Sequence, residues 1–126
     1  MKANELRIGN AILINGEVCN NIGYGIITDC YRKQKGLVSE YLDTLIFKPI
    51  PLTEEWLLKF GFENYDSLKF SINDLLVVDL HDFTFGVNRF DVCWLDNKNT
   101  IHVHQLQNLY FALTGEELKL QNNEII

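Results

Sequence analysis

The alternation of apolar and polar positions changes character along the chain, and each change marks a different kind of element. Near the start, Ala11-Ile12-Leu13-Ile14 and Glu17-Val18-Cys19 flank Asn15-Gly16. Both central positions of a type I′ turn need positive φ, which Asn and Gly tolerate, so this pair predicts a hairpin. Strands near 25–28 and 44–47 would extend it into a small curved sheet, of which an SH3-like half barrel is one form. The polar segment 29–43 between them, Lys-rich at its start, reads as a long loop or a mobile hairpin.

Pro49-Ile50-Pro51 stiffens the chain ahead of a marked helix start. Thr53 is a natural N-cap, Glu54 and Glu55 put negative charge at the positive end of the helix dipole, and Leu52 can staple onto Leu57. Gly61 stands where the helix must stop. From Lys69 to Val103 the pattern changes to strands: Phe70 and Ile72, Phe83, Phe85 and Val87, and Ile101 and Val103 alternate with polar or small residues, and the short apolar runs Leu75 to Val78 and Val92 to Leu95 lie between them. Short polar turns separate these runs, which predicts an antiparallel meander with one buried face. Leu106, Leu109, Tyr110 and Leu113 return to the spacing i, i+3, i+4, i+7, a helix over about 104–114 with Gln105, Gln107 and Asn108 facing elsewhere. Trp56, Trp94 and Tyr110 are the expected aromatic core.

The fold class expected is therefore α+β: a small N-terminal β-sheet, a short helix, and an antiparallel meander packed by a C-terminal helix. With 126 residues this is one domain, 1–126, with a β subregion over 1–48 and a helix-meander-helix subregion over 49–126. Its 47% hydrophobic and 22% charged residues are ordinary for a globular chain and far from disorder. A net charge of −6 argues against duplex nucleic acid as the main partner, since phosphate contacts draw on clustered Lys and Arg. Three widely spaced cysteines without a CxxC pair suggest free thiols in a reducing compartment. Met1 to Arg7 leads into no apolar stretch of signal-peptide length, and no run nears the ~18 apolar residues of a membrane span. A cytoplasmic protein without membrane partners is the expectation.

Three motifs carry a resemblance: Glu5-Leu6-Arg7-Ile8-Gly9-Asn10, the run from Pro49 to Phe62 (PIPLTEEWLLKFGF), and the run from His104 to Leu118 (HQLQNLYFALTGEEL). In these the chain resembles a set of uncharacterised small proteins of gut bacteria and their phages or mobile elements. The resemblance implies a bacterial or phage origin and no particular chemistry.

Few constellations suggest chemistry. His102 and His104 flank Val103, and on a strand that spacing puts both rings on one face; with His81 they are the candidate ligand-binding residues. A metal would need further ligands, for which only His81, Asp79 and Asp82 are on offer, so no metal, cofactor or catalytic set is expected. Asp79-Leu80-His81-Asp82 fits a polar turn as well as an oriented base. Gly23-Tyr24-Gly25 lacks the third glycine of a dinucleotide fingerprint, where Thr28 stands, and reads as a bulge or bend rather than a helix start. Arg32, Lys33 and Lys35 form the one dense basic run, and Phe111 falls off the apolar stripe of the last helix; these four are the interface candidates. The function expected is a non-enzymatic module that binds a protein or peptide. The alternatives are a small-molecule binder or enzyme with a His-containing pocket and, more weakly, a single-stranded nucleic-acid binder.

Overall fold

The computed structural model describes residues 1–37, 39–73, 75–87, 92–93 and 101–121. The fold is α+β, with two antiparallel sheets and a C-terminal helix. It divides into two compact units. Met1–Ile50 and His102–Leu109 form one, and Pro51–Ile101 and Tyr110–Ile126 the other.

In the first unit, β1 (Ile12–Ile14) and β2 (Glu17–Cys19) make the expected hairpin, with Asn15 at φ 53° and Gly16 at φ 83°. These are the two positive values that a type I′ turn demands. β3 (Phe47–Lys48) pairs with the other edge of β1, and Asn15 supports it by accepting from Ile46 N–H at 2.8 Å through its side chain.

The structure overturns the reading of 24–43. In place of a strand and a loop, α1 runs over Tyr24–Gln34 and a short α2 over Glu40–Asp43. The β-branched run Ile26-Ile27-Thr28 suggests a strand locally, but so short a run cannot separate the two periods. Over a longer window Cys30 is buried with Ile26 half-buried one turn before it on the same helix face, and Ile22, just ahead of the Gly23 N-cap, is buried as well. Gly23 is the N-cap of α1 rather than a bulge. Gly36 at φ 82° closes it: Gly36 N–H bonds Lys33 O and Leu37 N–H bonds Arg32 O. That pair is a Schellman ending, which a residue with a Cβ adopts only with strain. The basic run is therefore the last turn of a helix, where cations offset the dipole, rather than a loop.

In the second unit, α3 (Glu54–Lys59) starts where expected, with Thr53 Oγ1 accepting from Trp56 N–H at 3.4 Å, and it ends at Gly61. Leu52, Leu57, Phe60 and Phe62 are buried around it, and Trp56 is half-buried. The meander runs β4 (Glu63–Asp66), β5 (Lys69–Ile72), β6 (Leu76–Asp79), β7 (Thr84–Val87) and β8 (Val92–Cys93), in sheet order as in sequence. Register sets Phe70 opposite Val78 and Val78 opposite Phe85, so one buried row crosses three strands. β4 is an addition to the expected strands, because Glu-Asn-Tyr-Asp has turn composition. Its residues are all exposed at the sheet edge, and their charges deter pairing with another strand.

α4 (Val103–Thr114) corrects the last expected strand, since Val103 is its first residue. Tyr110 is buried as expected and Trp94 lies outside the described residues.

Candidate functional site

Most groups with chemical potential in the first unit meet each other. The loop from Glu5 to Ala11 lies against the N-terminal half of α4, and the meeting is polar. Asn10, buried, accepts from Arg7 N–H at 2.7 Å and donates through Nδ2 to Asn108 Oδ1 at 2.9 Å. Gln107, also buried, accepts from Ala11 N–H at 2.8 Å through Oε1. Arg7 Nε donates to Asn108 Oδ1 at 3.1 Å, and Asn108 Nδ2 donates to Glu5 O at 2.8 Å. Gln107 therefore does not face away as the leucine stripe suggested. The inward face of α4 here reads Val103, Leu106, Gln107, and an amide takes an apolar phase because backbone N–H groups opposite it need an acceptor.

His104 belongs to the same cluster. It is 1% exposed, and its Nε2 lies 3.2 Å from Glu5 Oε1. Ionised Glu5 can only accept, so the neutral ring carries its proton on Nε2. Nδ1 is then a buried lone pair without a hydrogen-bond partner. His102 precedes α4; its backbone N–H donates to Gln105 Oε1 at 2.8 Å, half of a capping box, and its ring stacks on that of His104 with centroids 6.0 Å apart.

Burial pushes the His104 imidazole below its ordinary value, and the hydrogen bond with Glu5 recovers only part of the fall. His102 is lowered too, again chiefly by burial. At Glu5 burial raises the carboxyl, but the bonds to His104 and to the Lys2 backbone outweigh it, leaving the group below its usual range. A base held below its unfolded value takes up fewer protons folded than unfolded, so its stabilisation is complete above about pH 6.5 and lost as pH falls through the folded value. The urea midpoint is expected to drop between about pH 7 and pH 5, and His104→Gln to flatten that drop. An unchanged pH slope in the variant would show that the ring does not titrate as described.

His81 stands elsewhere, in the second unit. Asp79 Oδ1 accepts from the N–H groups of His81 at 2.9 Å and Asp82 at 3.3 Å, closing the β6–β7 turn, and the exposed His81 ring pairs with Asp82 at 3.0 Å. Of the three histidines, the structure thus brings together His102 and His104, on a structural cluster. Among the described residues no group of three or more His, Cys, Asp or Glu could hold a metal. Cys30 is buried beside Gln34, and burial raises its thiol pKa, which disfavours the thiolate.

The outer face of α1 is different. Tyr24, Thr28, Tyr31 and Lys35 recur at i, i+4, i+7 and i+11, a single stripe, with Arg32 beside it. Tyr24 is 75% and Tyr31 52% exposed, and Lys35 Nζ lies 5.4 Å from the centre of the Tyr31 ring. Lys33 points away, its Nζ donating to Leu42 O at 3.0 Å and to Leu45 O. Among the described residues, the ion pairs leave out Lys2, Arg32 and Lys35. The stripe ends at a groove of about 240 Å³ lined by Lys2, Ala3, Asn4, Tyr31, Gln34 and Lys35.

No family model, curated protein or solved structure matches the chain. The chain's own geometry therefore carries the functional reading. Two grooves in the second unit, of about 250 and 300 Å³, share Gly61, Ile72 and Asn73 and are flanked by Glu63 and Glu116. The first is also lined by Ser71, the register partner of Glu63 across β4 and β5, and the second by Tyr110, Glu117 and Lys119. Phe111, on α4, is 37% exposed. No helix among the described residues is long and apolar enough to cross a membrane.

The charge pattern singles out Arg32 and Lys35 but not Tyr24, because the stripe exists only once 24–34 is a helix. The signal that could have found it is the spacing of Tyr24, Tyr31 and Lys35.

Proposed function

We propose that the chain is a non-enzymatic module of bacterial or phage origin that binds a protein or peptide through the outer face of α1. The observation that carries this is the pair of exposed tyrosines two turns apart, joined by Arg32 and Lys35. Tyrosine and arginine are enriched at interfaces because each offers a large contact area and a polar end, and a tyrosine side chain loses little entropy when held. The helix presents them on a rigid element, roughly 10 Å apart along its axis.

The reading of a small-molecule binder or enzyme built on His81, His102 and His104 has less support. His104 pairs through Nε2 with Glu5 inside the first unit, and His81 is solvent-facing in the second.

A Tyr24→Ala/Tyr31→Ala variant tests the proposal. A partner captured from bacterial lysate by the wild type is expected to bind at least about tenfold more weakly to the variant, with an unchanged circular dichroism spectrum. Equal capture by both proteins would refute it, as would turnover of a metabolite that His102→Ala/His104→Ala abolishes.

A further inference from the structure

We infer that the partner presents an acidic segment, with carboxylates paired to Lys2 and Lys35 beside the mainly apolar groove between the Ala3–Glu5 turn and the C-terminal end of α1. The inference rests on the reading of the α1 face as the binding surface and adds the chemistry of what binds.

The groove is built before any ligand arrives. Gln34 holds its two walls together, accepting from Ala3 N–H at 2.8 Å and donating to Met1 O at 2.9 Å. Lys2 and Lys35 line it, Tyr31 forms one side, and Arg32 adjoins on the helix. These cations stand in a chain with 17 Asp and Glu against 11 Lys and Arg, yet the described ion pairs use none of them. Charge is unevenly shared between the units: the first carries six Lys and Arg against five Asp and Glu, the second five against twelve.

The C-terminus of a helix ordinarily repels anions, and the balance of magnitudes decides the sign here. About half a negative charge resides on the last turn of a helix. Two cations, Arg32 and Lys35, stand there, Lys33 being turned to the Leu42 and Leu45 carbonyls, and the Gly36 and Leu37 N–H groups already bond two of the free carbonyls. The local field is positive.

Size and layout choose among anions. At about 240 Å³ the groove is smaller than the roughly 300–1,000 Å³ typical of small-molecule sites, so it suits one or two side chains of a larger ligand. A nucleic-acid strand needs a cationic track along its backbone. Here the cations gather at one end of α1, while the Tyr24 end carries no Lys or Arg and Asp29 lies midway. A peptide with a few carboxylates and apolar residues between them matches both parts: acids on Lys2 and Lys35, and apolar side chains along Tyr31 and Tyr24.

The experiment is an NMR titration of the full chain, following backbone amide shifts. The probes are a peptide of alternating Glu and Leu, its Gln/Leu counterpart and an oligothymidylate. The Glu/Leu peptide is expected to shift amides of Lys2 to Asn4 and Tyr31 to Lys35, and to bind about tenfold more tightly than the Gln/Leu peptide. Lys2→Gln/Lys35→Gln, both exposed sites, is expected to weaken it about five- to tenfold, as two solvent-facing ion pairs are lost. The preference is expected to vanish near 1 M salt, where screening acts within about 3 Å. Equal affinity for the two peptides, or no effect of the lysine substitutions, would overturn the inference. The proposed module would be refuted separately, by the tyrosine variant. Tighter binding of oligothymidylate than of the Glu/Leu peptide, weakened by the same substitutions, would overturn it in favour of single-stranded nucleic acid.

Discussion

Phe70→Ala is expected to lower the unfolding free energy by about 3–5 kcal/mol. Phe70 is fully buried in β5 and faces Val78 of β6, which faces Phe85 of β7. Truncation removes most of an aromatic side chain from that row, and strands paired on both sides of β6 have little freedom to close the gap. Typical domains hold only about 5–15 kcal/mol in reserve, so the change takes a large fraction of it and lowers the melting temperature by roughly 10–20 °C. Phe70→Leu keeps most of the volume and is expected to cost less than about 1.5 kcal/mol. Urea titrations of the two variants check this. A loss below about 1 kcal/mol for alanine would mean that the row is not the core of the meander.

Gln107→Leu is expected to destabilise by about 2 kcal/mol even though leucine is the more hydrophobic side chain. The amide oxygen is the acceptor for Ala11 N–H, and Ala11 is itself buried, so the substitution strands a backbone donor away from water. Asn10→Ala is expected to cost about 2–3 kcal/mol by the same logic, since the Arg7 N–H loses its acceptor and Asn108 Oδ1 loses one of its two donors. Replacing both amides by leucine does not restore balance, because the groups left behind belong to the backbone and cannot be mutated away. The two side chains touch through Asn10 Nδ2 and Gln107 Oε1 at 3.4 Å and share the loop they hold. Their combined loss is therefore expected to fall short of the sum by about 0.5–1 kcal/mol. A strictly additive double variant, or a neutral Gln107→Leu, would show that the network does not bind the loop to α4.

This cluster also gives physical content to two of the motifs in the sequence. Glu5, Arg7 and Asn10 of the first motif bond His104, Asn108 and Gln107 of the last, almost a hundred residues away in the chain. Such an arrangement accounts for those residue types by assembly of the first unit, without an active site. It also places two of the three histidines. Two imidazoles spaced by one residue look like ligands on a strand, but Val103 opens a helix, and there His104 turns inward to Glu5 while the His102 backbone joins the cap.

Local signals were legible wherever the decisive physics is confined to a few neighbouring residues. Asn15-Gly16 sets a turn through its own φ angles, Thr53 caps a helix by a bond to nearby Trp56, and Phe70 and Phe85 stand between polar or small residues because a strand shows its faces by turns. Tertiary structure alone decided the rest. Ile26-Ile27-Thr28 is helical because Cys30 and, in part, Ile26 bury on one face, overriding a β-branched preference worth under about 1 kcal/mol per residue. Gln107 and His104 are interior because their hydrogen-bond partners arrive from the opposite end of the chain. The tyrosine stripe and its cationic groove likewise depend on which period the backbone adopts and on which distant turn lies beside it. Short-range conformational preference can be read from letters in order, whereas burial and polar pairing depend on contacts between residues that the order keeps far apart.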